Sequence, residues 1–183
     1  MLQWLRQKVL DWSRPSSIEA ETLYSQLAKA ARNPNIYYSY QIEDNIDGRF
    51  DTICLFVALV VRRLSKMGED GKTRAQELTD TMFADMDLSL HEIGVSENKV
   101  GKKVKVMATA FVGRVQAYSQ ALDANDKEAL ASALRRNLYR DQDMDGMENK
   151  LSTAVIKVAK ALDKQSDDTL MSGHIEIRMD LGK

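Results

Sequence analysis

Several residue types are scarce in this chain of 183 residues, which contains only two prolines, one cysteine and two histidines. The single cysteine, Cys54, has no partner for an internal disulfide, so the sequence favours a reducing compartment such as the cytoplasm. The longest apolar run, residues 53–61, is far shorter than the roughly 20 residues of a membrane-spanning helix. The net charge of -1 provides no general attraction to nucleic acid or anionic lipid. Together these absences predict one mostly helical, non-membrane-spanning domain.

The first twelve residues have the spacing of an amphipathic helix rather than the continuous apolar core of a secretory signal. The apolar positions are Leu2, Leu5, Val9 and Trp12. Pro15 interrupts the pattern, which divides the chain into a short helix and hinge at residues 1–16 and a helical domain at residues 17–183. Trp4 and Trp12 suit a membrane interface, and docking of this helix on the protein's own surface is the alternative.

Helical periodicity dominates the remainder of the sequence, which predicts an all-α fold of about six or seven helices arranged like a bundle. After the N-terminal helix, we expect helices to begin near residues 17, 49, 73, 98, 126 and 147. Residues 50–67 are apolar on nearly all sides, so this helix should be central to the fold. Residues 98–122 carry a single apolar stripe, with lysines on or beside the opposite face.

Two segments are typical of extended chain instead. Residues 36–42 are rich in tyrosine and isoleucine, and residues 175–181 alternate between apolar and charged side chains. A single strand cannot satisfy its own backbone hydrogen bonds. The C-terminal segment should therefore pair with residues 36–42 as a minor extended pair, add to the sheet edge of a partner, or fray. Pairing with residues 36–42 is the favoured arrangement.

Candidate metal sites in the sequence are incomplete. Asp141, Asp143, Asp145 and Gly146 match the start of an EF-hand loop, but Ser152 stands where that loop needs a glutamate. A solvated acidic loop is therefore the better interpretation. Asp87 and His91 lie one helical turn apart and offer two ligands, without a third or fourth nearby. We expect no metal, no cofactor and no catalytic activity.

A local basic surface is predicted on the helix that begins near residue 98. It comprises Lys99, Lys102, Lys103, Lys105 and Arg114. Such a surface suits auxiliary contact with RNA or a phospholipid headgroup, although most lysine-rich helix faces are simply solvated. The balanced charge of the chain argues against a specific nucleic-acid partner.

Several blocks of the sequence, in order between residues 36 and 139, resemble the ubiquinol-cytochrome c chaperone family. The first comprises Tyr37, Tyr38 and the DGRFD box at residues 47–51, followed by Arg62, Arg63 and Leu64. The long middle block comprises Met82, Phe83, Asp85, Met86, Asp87, Ser89, Leu90, Glu92, Gly94, Val95, Val100, Gly101, Lys102, Val104, Lys105, Met107, Phe111, Gly113 and Arg114. The last comprises Arg136, Asn137 and Tyr139. His91, Val112, Glu43 and Asn45 depart from the family pattern without removing an apolar position.

The resemblance implies a helical chaperone that binds newly made cytochrome b and assists its assembly into the cytochrome bc1 complex. The resemblance also implies that mitochondrial members act at the inner membrane with a small partner subunit and can lie near the ribosomal exit. Without a targeting extension, this chain is expected to be bacterial and to act in the cytoplasm, with peripheral contact at the inner membrane. The alternative is a helical adaptor or dimerisation protein that uses its terminal segments to bind a folded partner.

A chaperone of this kind needs an apolar groove for a client transmembrane segment. From side-chain type, we expect the client-binding residues to be Tyr37, Tyr38, Phe83, Met86, Leu90 and Phe111. Asp47 and Arg49 are expected to brace the loop before the central helix, and Arg114 is expected to pair with Asp85 or Asp87. An open concavity would favour the chaperone, whereas a filled core with exposed termini would favour the adaptor.

Overall fold

The structure of the protein is a computed structural model that describes residues 16–179. This part of the chain contains eight helices and no strand, so the predicted all-α fold is confirmed. The helices are α1 (Ile18–Ala31), α2 (Pro34–Tyr40), α3 (Ile46–Leu64), α4 (Gly68–Glu92), α5 (Glu97–Asp123), α6 (Lys127–Leu138), α7 (Met147–Asp163) and α8 (Asp167–Met171). The predicted helix at residues 1–16, with Trp4 and Trp12, lies almost entirely outside the described residues.

Helix α3 is the centre of the molecule. Every residue from Asp51 to Leu64 is buried, and the helix contacts α1, α4, α5, α6 and α7. A helix that is apolar on nearly all sides leaves the least apolar surface in contact with water when other helices surround it. The prediction of a central helix is therefore confirmed. Within residues 16–179, we find no helix that has both the length and the apolarity needed to cross a membrane.

Helices α4 and α5 form a long hairpin beside α3. Gly94 adopts a left-handed conformation with φ of 83°, and Val95 donates its N–H to the Leu90 carbonyl, which ends α4. Val100, Val104 and Phe111 from the predicted stripe are buried against the core. The hairpin therefore places the lysines of α5 on the outside of the molecule.

Residues 36–42 are not extended, and this prediction was wrong. Pro34 occupies the first turn of α2, and the Asn33 side chain accepts a hydrogen bond from the Asn35 N–H. These residues start a helix efficiently, because proline fixes φ and asparagine satisfies a free N–H. Tyr37 and Tyr40 then lie against the core three residues apart. Packing of the two rings outweighs the strand preference of the local sequence.

The C-terminal segment consequently lacks its expected partner. Residues 174–179 belong to no helix and make no strand ladder within the described chain. Their burial alternates nevertheless, because Ile175 and Met179 are buried whereas Glu176 and Arg178 are exposed. The predicted period of two is therefore present, but the predicted pairing with residues 36–42 is wrong.

Candidate functional site

Three distant stretches of chain meet at a charged cluster beside the start of α3. Asp51 is buried, and its carboxylate lies 2.7 Å from the guanidinium of Arg114 on α5. Arg140, which follows α6, lies 3.6 Å from the other Asp51 oxygen and 3.2 Å from Asp47. The Arg114 guanidinium also stacks 5.6 Å from the centre of the Phe50 ring. The cluster therefore fixes the first turns of α3 to both α5 and the segment that follows α6.

Burial changes the electrostatics of this cluster. Loss of solvent raises the pKa of the Asp51 carboxyl above its usual value, while the Arg114 guanidinium opposes the rise. Arg114 is itself largely buried, so each charge depends on the other for compensation. The expected pairing of Arg114 with Asp85 or Asp87 is wrong. Asp85 instead accepts a hydrogen bond of 2.5 Å from the Tyr24 hydroxyl, and burial together with this bond raises the pKa of Tyr24.

The first turn of α3 needs glycine at position 48. A Cβ atom there would lie 1.9 Å from the Glu43 carbonyl oxygen, which is far inside van der Waals contact. The Asn45 side chain accepts a hydrogen bond from the Gly48 N–H and caps α3. Arg49 donates to Asp44 at 2.6 Å. Arg49 therefore pairs with Asp44 of the loop before α3, whereas Asp47 pairs with Arg140, which follows α6. Both pairs are largely exposed, and bracing of the loop by Asp47 and Arg49 stays a prediction.

Helix α2 is attached to the same region through its tyrosines. The Tyr37 hydroxyl donates to the Ala31 carbonyl at 2.8 Å, and the Tyr139 hydroxyl donates to the Tyr40 carbonyl at 2.7 Å. The ammonium of Lys150 lies 5.6 Å from the centre of the Tyr40 ring. The tyrosine blocks near residues 37 and 139 are thus parts of one structural unit, although they are separated by about a hundred positions in sequence.

A second charged cluster lies at the C-terminal end of α3. Arg62 contacts Asp123 at 2.7 Å and Asp163 at 3.1 Å, which ties the ends of α5 and α7 together. Arg63 donates to the Leu162 carbonyl and to Asp167. Helical spacing did not reveal these partners. The signal in the sequence was two arginines directly after the apolar run at residues 53–61, because buried arginine is rare unless it is paired.

The six predicted client-binding residues do not share one open surface. Phe83 and Phe111 are fully buried, with ring centres 5.7 Å apart in an edge-to-face arrangement. Tyr37 and Met86 are also buried, and Leu90 is half-buried against the core. Only Tyr38, which is 88% exposed, projects into solvent. These four buried residues belong to a filled core, and client contact by the six residues stays a prediction.

The chemistry of the remaining candidates is limited. His91 lies 3.5 Å from Asp87 in an exposed pair, and no cluster of three or more metal-ligating side chains occurs within residues 16–179.

Burial raises the pKa of the Cys54 thiol to about 12, so this cysteine is protonated and inaccessible at neutral pH. The Asp141 to Gly146 segment is a turn before α7. Lys99, Lys102, Lys103 and Lys105 are exposed, but Arg114 turns inward and is not part of that surface.

Comparisons with known proteins identify a family and a similar structure. The family model described as ubiquinol-cytochrome C chaperone matches residues 39–177. The crystal structure of the Cbp3 homolog from Brucella abortus is similar with a TM-score of 0.80 and 34% sequence identity, over 98% of this chain and 97% of that chain. A search of curated proteins gave no match. Both the family model and the structural match extend over the DGRFD box, Arg114 and Tyr139, and the chain belongs to the ubiquinol-cytochrome c chaperone family.

Proposed function

We propose that this protein is an assembly chaperone that binds newly synthesised cytochrome b and assists biogenesis of the cytochrome bc1 complex. The observation that carries the proposal is family membership, supported by a structural match over nearly the whole chain. Membership of a chaperone family also favours a non-catalytic role. The proposed contacts also include a small partner subunit and the ribosome. We place the protein in the cytoplasm, with Trp4 and Trp12 in contact with the surface of the inner membrane.

Large apolar side chains are exposed on several helices of the outer surface and are candidates for client contact. Tyr38 on α2, Ile46 at the start of α3, Leu88 near the end of α4 and Val106 on α5 are all large, apolar and mostly solvent-exposed. Large exposed apolar residues are often sites of protein contact when several occur together, although single ones are common. We propose that Tyr38 contacts the client directly and that half-buried Leu90 contributes at the hairpin. Tyr37, Phe83, Met86 and Phe111 would then support this surface from below, or become accessible if the hairpin opens.

Deletion of the gene is expected to lower the amounts of cytochrome b and of assembled bc1 complex in membranes of the host. The reason is that an apolar client without its chaperone is lost to aggregation or proteolysis before assembly. The measurement is the haem b absorbance difference spectrum together with native gel electrophoresis of membrane complexes. Restoration by the full-length gene is the control. Normal cytochrome b and bc1 levels in the deletion strain would contradict the proposal and favour the adaptor function, which the filled core also supports.

Direct binding is tested with a photo-crosslinking residue at Tyr38. We expect this variant to crosslink to a nascent cytochrome b segment several times more strongly than the same residue placed at Lys127, an exposed site on α6. Crosslinked products are quantified by immunoblotting against cytochrome b. Both sites are on the surface, so folding and accessibility are matched between them. Equal yields at the two positions would exclude Tyr38 from the client surface, even if the deletion strain lacks bc1 complex.

A further inference from the structure

The C-terminal segment has an unusual set of hydrogen-bond partners. We call residues 174–179 the tail segment. The Gln165 amide donates to the Glu176 carbonyl at 2.7 Å and accepts from the Glu176 N–H at 3.0 Å. The Gln26 amide donates to the Gly173 carbonyl at 2.8 Å, and its oxygen accepts from the Ile175 N–H at 3.4 Å. Two glutamine side chains, from α1 and from the α7–α8 connection, therefore hold this chain on both sides.

Each of these amides replaces the neighbouring strand that the tail segment lacks. A glutamine amide carries one carbonyl acceptor beside an N–H donor, which is the same pair of groups as a peptide bond. Gln165 exchanges both bonds with one residue, as opposite residues do in an antiparallel ladder. A helix surface has no free backbone groups for such pairing, because its own ladder uses them. The two amides thus make a helical surface able to bind extended backbone of any sequence.

Side-chain contacts in this cleft select an alternating pattern. Ile175 and Met179 are buried against the core and Ile177 is partly buried, while His174, Glu176 and Arg178 face solvent. The cleft therefore binds apolar side chains at every second position, in addition to its hydrogen bonds with the backbone. This combination, main-chain hydrogen bonds for affinity and alternate side chains for specificity, is the usual mode of recognition of extended peptides.

The tail segment does not fill the whole of this region. An open depression lies beside the Gln26 amide, lined by Ile18, Glu21, Thr22, Ser25, Gln26 and His174. Ile18 at its edge is largely exposed. A peptide with a larger side chain than His174 at the equivalent position would cover this apolar surface. The cleft is consequently able to hold a larger ligand than the segment that occupies it.

We propose that the cleft between α1 and the α7–α8 connection is a binding site for an extended segment of another polypeptide with apolar side chains at alternate positions. The tail segment is its occupant within the same chain, and an incoming segment displaces it. An occupant attached to the same chain has an effective concentration of about millimolar, so only a tight or locally concentrated peptide competes. This site is independent of the proposed binding of cytochrome b.

The test uses the full-length protein and a fluorescein-labelled peptide with the sequence of residues 173–180. Ile175→Ser together with Met179→Ser weakens the attached tail segment and leaves the cleft intact. We expect this variant to bind the peptide at least about tenfold more tightly than the wild-type protein, measured by fluorescence anisotropy. Arg178→Ser, an exposed substitution in the same segment, should bind as the wild type does. A peptide with serine in place of both isoleucines and the methionine should not bind.

The role of the Gln165 amide is tested in the same Ile175→Ser, Met179→Ser protein. Gln165→Ala should reduce peptide affinity by about tenfold, because two hydrogen bonds to Glu176 are lost, whereas Lys164→Ala should leave the affinity unchanged. Equal peptide binding by the weakened variant and the wild type, or no effect of Gln165→Ala, would overturn the proposal. A wild-type dimer that dissociates on the tail substitutions would also overturn it, because the occupant would then be a second copy of this chain.

A second measurement covers the case in which the doubly substituted protein does not fold. Excess unlabelled peptide at about 1 mM is added to the wild-type protein, and hydrogen exchange of the Glu176 amide is followed. Displacement exposes this N–H to solvent, so its exchange rate should increase several-fold. An unchanged exchange rate at that concentration would show that an external peptide does not enter the cleft.

Discussion

Substitution of Asp51 by asparagine is expected to lower the free energy of unfolding by about 3 kcal/mol. Asparagine keeps the shape of the side chain but removes the charge that compensates Arg114, whose guanidinium lies 2.7 Å away and is 14% exposed. The remaining Arg140 is half-exposed and adds positive charge rather than compensating it. A loss of this size is a large share of the roughly 5 to 15 kcal/mol that stabilises a typical domain.

Equilibrium urea unfolding monitored by circular dichroism measures this loss, with unchanged slopes as the condition for comparing variants. The matched control is Asp47→Asn in the same DGRFD box. Asp47 also pairs with Arg140, at 3.2 Å, but its side chain is 75% exposed. An exposed ion pair contributes little, so the control should cost less than about 1 kcal/mol.

A double variant measures how much of the stability loss comes from the interaction between Asp51 and Arg114. Arg114→Met removes the charge that Asp51→Asn leaves uncompensated, so the combined loss should be about 2 kcal/mol smaller than the sum of the single losses. Additive effects would mean that the two charges are not coupled. If Asp51→Asn instead cost no more than Asp47→Asn, the charge of the buried aspartate would not be needed for stability.

The helical part of the fold follows from periodicity in the sequence. Residues 53–61 are apolar on all sides and form the buried middle of α3, as expected. The sequence was misleading where two local preferences competed. Tyr37 and Tyr40 belong to a segment with strand propensity, but Asn33 and Pro34 start a helix that buries both rings. Tertiary packing decides such short segments, and a single sequence does not contain it.

The C-terminal segment shows a different limit of prediction from sequence. Alternation predicted the burial of Ile175 and Met179 correctly, because it depends only on the two faces of extended chain. The hydrogen-bond partners were not predictable, since Gln26 lies about 150 residues from the segment that it holds. A glutamine on a helix is ordinary, and nothing in its local sequence indicates that it will pair with a distant backbone.

Side-chain type also failed to distinguish core from surface among the client-binding candidates. Phenylalanine and methionine are suited equally to a packed interior and to an apolar groove. Phe83 and Phe111 occupy the interior, whereas Tyr38, with a similar ring, is exposed. Charge type failed in the same way, because Arg114 was expected on the basic surface of α5 and beside Asp85 or Asp87. Arg114 interrupts an apolar stripe on α5, and such a position requires a partner, which the structure identifies as Asp51.

Phe111→Ala is expected to lower the free energy of unfolding by about 3 to 5 kcal/mol. Its ring is fully buried and meets Phe83 edge to face, so truncation removes apolar contacts, an aromatic pair and the packing around the resulting cavity. Val106→Ala on the same helix is the control. Val106 is 70% exposed, and its truncation should change stability by less than about 0.5 kcal/mol.

Phe111→Ala and the conservative variant Phe111→Leu also separate a structural role of Phe111 from a role in client binding. If Phe111 acts only in the core, crosslinking of cytochrome b through Tyr38 should fall in proportion to the folded fraction of Phe111→Ala, and Phe111→Leu should restore both. If Phe111 lines a groove that opens in solution, the stability loss should be small while crosslinking falls sharply. The first outcome would confine the client surface to exposed residues such as Tyr38, and the second would require that the α4–α5 hairpin opens to admit the client.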